Sequence, residues 1–101
     1  MWHIVAFDLP VDDKLQQKSY RCFRKKLVKA GYQALQKSFY LRWFENNEKA
    51  MSSQAEILMS PPQIGNIFTM FVNDAVFHNS THVLNHANVP IPQIPMPWLV
   101  C

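Results

Sequence analysis

The sequence predicts an α+β domain of order βαββαβ, and three observations carry the prediction. The apolar run Trp2 to Phe7 stops abruptly at Asp8-Leu9-Pro10, as a buried strand does at its end. The next segment places apolar residues at helical spacing between a capping residue and a glycine. Strand-like stretches at Tyr32 to Phe44 and Ile67 to Val72 then flank a second helical segment. With both helices on one face of an antiparallel sheet, this order is ferredoxin-like.

The first strand spans about residues 2 to 8 and delivers a lone acid, Asp8, to its C-terminal end. In the helix that follows, Asp13 with Gln16 forms a capping-box-like start, and Gly31 is placed for the C-terminal cap. At about 100° per residue, Ser19, Tyr20, Phe23, Leu27 and Ala30 gather on one side, and Lys14, Lys18, Arg21, Lys25 and Lys29 on the other. Arg24 lies between the faces; Lys26 sits at the edge of the apolar stripe, where its stem can snorkel.

Residues 32 to 44 are long for one strand, so a bend near Lys37 divides them into two. Asn46 or Asn47 can cap the second helix, and Pro61-Pro62 ends it. Ile67 to Val72 is apolar on both faces, as a central strand covered by a helix or a second subunit would be. Residues 78 to 89 are rich in His, Asn, Ser and Thr, with Val83-Leu84 as a short extra strand. Pro90, Pro92, Pro95 and Pro97 then impose an extended tail, so residues 1 to 84 form the domain and residues 85 to 101 the tail.

A chain of 101 residues makes one domain and buries only about 60–70% of its unfolded surface, so a homodimer is expected. The formal net charge of +3 is unevenly laid out. Nine of the ten Lys and Arg fall between Lys14 and Arg42 with no Asp or Glu among them, and residues 50 to 101 have none. Such a layout is a polyanion-binding signature. Cys22 and Cys101 make no disulfide framework, and no secretory or membrane-length apolar stretch is present, so a cytoplasmic protein is expected. Cys22 reads as a small core residue, and the five methionines as filler for core and interface.

Three stretches, Val5-Ala6-Phe7-Asp8-Leu9-Pro10, Lys18-Ser19-Tyr20-Arg21-Cys22-Phe23-Arg24-Lys25 and Gly31-Tyr32-Gln33-Ala34-Leu35-Gln36-Lys37-Ser38-Phe39-Tyr40-Leu41-Arg42, stand in an order that resembles the CRISPR-associated Cas-two family. Pro61-Pro62 before Gly65 and Val72-Asn73-Asp74-Ala75-Val76-Phe77 extend the resemblance to about residue 84, most closely to the branch found beside single-effector systems. The second helix lacks the basic residues of that branch, and the proline-rich tail lies outside the resemblance. The resemblance implies a prokaryotic homodimer of ferredoxin-like fold that bridges dimers of the Cas-one integrase and holds double-stranded DNA during spacer acquisition. It also implies metal-dependent endonuclease activity on RNA or DNA, with Asp8 as metal ligand and catalytic residue.

The local chemistry fits both roles. Asp8 from two subunits would supply two carboxylates for Mg²⁺; the plainer alternative is a residue kept for the loop it shapes. Asp12 and Asp13 are explained by the helix start. Lys14, Lys18, Arg21, Arg24, Lys25 and Lys29 are expected to meet backbone phosphates, with Ser38 and Arg42 adding a hydroxyl and a guanidinium. The alternative is a solvated helix face, which normally mixes signs. Trp43 and Phe44 read as core or dimer interface in preference to base-stacking rings. His78, His82 and His86 recur every four residues, but without a Cys or acid in register they fall short of a zinc site. Trp98, Leu99 and Val100, held out by the prolines, are expected to bind a partner or the neighbouring subunit. The expected function is a DNA-binding adaptation scaffold, with a Mg²⁺-dependent endonuclease as the first alternative. A ferredoxin-like regulatory module, whose basic face meets an acidic protein or small anion, is the second.

Overall fold

β1 (Trp2–Asp8) occupies the inside of a four-stranded sheet and pairs antiparallel on both sides, with β3 (Phe39–Trp43) and β4 (Asn66–Val72). β2 (Gln33–Gln36) extends the sheet beyond β3, giving the order β2-β3-β1-β4 with antiparallel neighbours. This computed structural model describes residues 1–95; Trp98, Leu99 and Val100 lie outside the described residues. The fold is mixed α and β on an antiparallel sheet, consistent with the ferredoxin-like arrangement.

Strand alternation sorts β1 between two cores. Val5 and Phe7 face α1 (Lys14–Lys29) and α2 (Asn47–Ile57), where Phe23, Leu27, Ala50 and Ile57 close the larger cluster. Trp2 and Ile4 face the other way, toward Leu41 and toward Phe77 of the short α3 (Asp74–His78); the Trp2 and Phe77 rings stack at 4.4 Å. Ile91 and Ile94 pack against this second cluster, so the first part of the proline-rich segment lies on the sheet.

α1 is built from good helix formers with no internal Gly or Pro. The Asp13 carboxylate accepts from the Gln16 backbone at 2.7 Å, and the Gln16 amide oxygen accepts in return from the backbone of Asp12 at 2.9 Å. At the other end Gly31, at φ 90°, closes a Schellman motif: its N–H reaches the Val28 carbonyl, and that of Tyr32 the Leu27 carbonyl, both at 3.0 Å. Asn46 caps α2 in the same way as Asp13, accepting from the Lys49 backbone at 2.9 Å. α2 ends at Ile57, ahead of Pro61, and Ser60 at φ 55° turns the chain away.

Three expectations are corrected. β4 is an edge strand of the described sheet, because the chain adds it outside β1 with nothing beyond; Phe68 and Met70 remain 59% and 41% exposed. Cys22 is exposed, since it lies at the border of the buried stripe. The short extra strand expected at Val83-Leu84 is β5 (His82–Leu84), which pairs with β6 (Ala87–Val89) in a hairpin. Asn85 and His86 both take positive φ, 52° and 68°, the geometry of a type I′ turn, which Asn adopts readily. The methionines are not all filler: Met51 and Met59 are largely exposed.

α2 buries few large apolar side chains, and a polar network holds it instead. His3 is fully buried within β1 and stacks on Phe71 with centroids 4.8 Å apart. Its Nε2 donates to the Gln54 oxygen at 2.9 Å, which also accepts from the Thr69 hydroxyl at 2.7 Å. Its Nδ1 accepts from the Tyr32 hydroxyl at 2.6 Å, and that hydroxyl lies 3.0 Å from the Ser53 hydroxyl. A neutral imidazole with its proton on Nε2 satisfies every member of this chain. Burial lowers the His3 pKa, partly countered by the Gln54 bond.

The unfolded chain therefore takes up a proton near pH 6.5 that the folded chain refuses. The stability is fully present above that pH and declines as pH falls toward the lowered folded pKa, by up to about 1.4 kcal/mol per pH unit. Urea unfolding between pH 5 and 8 should show this decline, and His3→Phe should reduce the slope while lowering stability at pH 7.5, because Tyr32 and Gln54 lose their partner.

Candidate nucleic-acid interface

α1 packs through Phe23 and Leu27, and each large apolar side chain so buried contributes about 1.5–3 kcal/mol. Fixing that face turns the opposite one outward. Lys14, Lys18, Arg21, Lys25 and Lys29 are all exposed, and so is Arg24. Among the described residues the ion pairs are Lys49 with Glu45 and the N-terminal amine with Asp74, so none of these six cations is paired with an acid. Burial raises the Tyr40 phenol pKa, and the Arg24 charge counters the rise.

Of the other three cations of the basic block, Lys37 is exposed in the β2–β3 turn, and Lys26 and Arg42 are engaged. Lys26 is half-buried, and its Nζ donates to the carbonyls of Met59 and, at 3.4 Å, Ile57, at the C-terminal end of α2. A cation there complements the helix dipole. Arg42, half-buried, donates from Nη1 to the Ala30 carbonyl at the end of α1 and lies 4.5 Å over the Phe44 ring. Its guanidinium fits because Gly31 has no Cβ; one built there would stand 3.3 Å from Cζ.

Asp8, exposed at the end of β1, is surrounded by loops that backbone pairing fixes. The Phe7 N–H donates to the Ser38 carbonyl at 3.0 Å, which draws the β2–β3 turn to Asp8, and the Tyr20 hydroxyl holds the Lys37 carbonyl at 3.3 Å. Asn66 stands opposite Asp8 in the β1–β4 ladder. The backbone before it passes so close that a Cβ on Gly65, at φ 124°, would come within 2.4 Å of Leu9 Cδ2 and 3.0 Å of the Asp8 carbonyl.

The structure thus brings Asp8, Ser38 and the start of the basic stripe to one end of the sheet. Arg42 pairs with His3 at the other end, about 17 Å from Asp8 for five residues of strand. Asn66 escaped the sequence reading because only strand register places it beside Asp8. His78 ends α3, His82 begins β5 and His86 sits in the turn, on three separate elements. No group of three or more His, Cys, Asp and Glu able to hold a metal occurs among the described residues. Trp43 packs against the second core cluster and donates its indole N–H to Asp74 at 3.0 Å, and Phe44 is core. No helix among the described residues is long and apolar enough to cross a membrane.

The family model described as CRISPR associated protein Cas2 matches residues 1–79, from β1 through α3. The chain is similar to several bacterial proteins named CRISPR-associated endoribonuclease Cas2. That of Flavobacterium psychrophilum is 35% identical over 77 residues, 76% of this chain and 67% of its own length. That of Ligilactobacillus salivarius is 31% identical over 81 residues, 80% of this chain and 79% of its own. A protein of Paracidovorax avenae is 26% identical over 95 residues, 94% of this chain and 88% of its own, and so extends past the matched domain.

Gly65→Ala should cost about 1–3 kcal/mol through the strained φ and the contact with Leu9. Denaturant unfolding gives the cost, and amide spectra should show displaced resonances at Asp8 and Leu9 with those of residues 20–29 unmoved.

Proposed function

The chain belongs to the CRISPR-associated Cas2 protein family, and on that premise we propose that it serves CRISPR adaptation as a homodimeric scaffold holding double-stranded DNA between dimers of the Cas-one integrase. The observation that carries the proposal is the outer face of α1, where exposed cations run in line without an acid partner. From Lys14 to Lys29 that face is about 22 Å long, the axial length of about six base pairs. Its binding would be independent of sequence, because cations on a helix face address phosphate oxygens and no base edge. Ser38 stands at one end of the stripe to add a hydroxyl, and Arg42 at the other to add its remaining donors.

The exposed Phe68 and Met70 on the edge strand support the homodimer, since an apolar edge strand is stabilised when a second copy covers it. Trp98, Leu99 and Val100 are assigned to partner contact on their apolar character behind chain-extending prolines.

A second reading, a Mg²⁺-dependent endonuclease, is favoured by the endoribonuclease name of the relatives and by the exposure of Asp8. The Asp8 carboxylate is a hard oxygen donor of the kind Mg²⁺ takes, and one or two carboxylates suffice for an ion that keeps several waters. Bound there, the ion would supply an activated water and a polarised phosphoryl oxygen. Asp8 would hold the ion, the Gly65 backbone would hold Asp8, and the Ser38 turn would flank the phosphate.

Duplex affinity should fall with salt at a log-log slope near −0.9 for each phosphate neutralised. Replacing Lys18 and Arg21 together by Glu should weaken all duplex sequences alike and make that slope shallower; an unchanged slope would reject the α1 face as the contact. Asp8→Ala should abolish any Mg²⁺-dependent cleavage of RNA or DNA and leave duplex binding equal or slightly tighter, since a negative charge near phosphate is removed. Cleavage that survives Asp8→Ala would reject the endonuclease reading.

A further inference from the structure

α1 carries a third face, neither buried nor part of the basic line. Leu15, Ser19, Cys22 and Lys26 recur along it at helical spacing and form one wall of a groove; the connection between α2 and β4 forms the other. The wider part, about 490 Å³, lies between Leu9, Pro10 and Leu15 on one side and Gln63 and Ile64 on the other. It runs on past Cys22 into a recess of about 240 Å³ against Pro61 and Pro62. Leu15 is 77% exposed and Ile64 65%, although each borders a concave surface that would cover it once filled.

We propose that this groove is a docking site for a partner-protein segment in which apolar side chains are flanked by carboxylates. The apolar part of that chemistry follows from Leu9, Pro10, Leu15 and Ile64. The acidic part follows from the one-sided charge. Lys18 is the one charged side chain that lines the wider part, with the unpaired cations of α1 behind it; Asp12 and Asp13, between Pro10 and Leu15, do not line it, and the facing wall, residues 58–66, carries no charge. A nucleic acid fits less well, because the wider part offers no aromatic ring for a base and an apolar floor to phosphates. The chain's own tail is no complement either, since no Asp or Glu follows Asp74. A segment seated here would share Lys18 with a duplex on the basic face, so the two ligands would compete in part.

The test uses the full ¹⁵N-labelled chain and a synthetic peptide of Glu residues bearing a Leu and a Phe, beside a control with Gln for every Glu. The acidic peptide should give saturable shifts at Leu15, Ser19, Cys22 and Ile64, and the control should bind more weakly. Leu15→Ser and Ile64→Ser alter exposed side chains and spare the fold; each should raise the peptide Kd about tenfold and leave duplex affinity unchanged. Absence of saturable shifts, equal binding of the two peptides, or shifts confined to the lysine line would overturn the proposal. So would Leu15→Ser weakening the duplex and not the peptide, which would assign the groove to nucleic acid. Shifts at Leu15 and Ile64 that grow with protein concentration alone would assign it to a second copy and overturn it equally.

Discussion

The two-sided pairing and two-sided burial of β1 are the constraint on which the rest depends. It shares with β3 a paired neighbour on each edge and a core on each face, but it alone joins β3 to β4 and leads into the Asp8 end, and five of its seven residues are buried apolar or His. α1 and α2 can dock only where Val5 and Phe7 point, and α3 only where Trp2 and Ile4 point. The same strand fixes the position of Asp8, because its ladder partner Asn66 and the Ser38 carbonyl are set by register, not by side-chain choice. His3 ties this strand to α2 through polar bonds, which are more directional than the small apolar contact α2 offers.

The cations of α1, taken with Arg42, divide into two populations with different energetics. Lys26 and Arg42 stabilise the fold: they satisfy carbonyls that the ends of α2 and α1 leave unpaired. The outer stripe works against it. Lys14 with Lys18, Arg21 with Lys25 and Lys25 with Lys29 are like charges four apart on one helix, and together they cost about 1 kcal/mol. Burial of Phe23 and Leu27 and closure of both helix ends offset that cost. An unpaired stripe therefore gives the isolated domain no stability, which fits its placement where a polyanion would neutralise it.

Features written in local chemistry were legible in the sequence. Asp13 and Gly31 bound α1, the bend near Lys37 is the β2–β3 turn, Asn46 caps α2, and the two stripes of α1 follow from spacing alone. What depends on register or on distant partners was not. Ile67 to Val72 shows two apolar faces, yet nothing within it says which strand lies beside it, and it proved an edge. Arg42 has the chemistry of a phosphate ligand, but only its pairing with His3 reveals that it reaches the end of α1. The hairpin at residues 82–89 lacks the glycine that usually announces such a turn, and Asn85 with His86 takes its place. Among the candidate site residues, Asp8, Ser38 and the stripe stand out in the sequence by residue type, whereas Asn66 and the groove facing Leu15 exist only in three dimensions.

The central claim is that the outer face of α1 meets a polyanion, and the protein contains its own controls for it. Acetylation rates of individual lysines, measured by mass spectrometry with and without saturating duplex DNA, would read each amine separately. Protection should appear at Lys14, Lys18, Lys25 and Lys29. Lys26, held by the α2 carbonyls, and Lys49, paired with Glu45, should react at unchanged rates. Uniform protection of all six, or protection at Lys49 with the α1 line still reactive, would contradict the account.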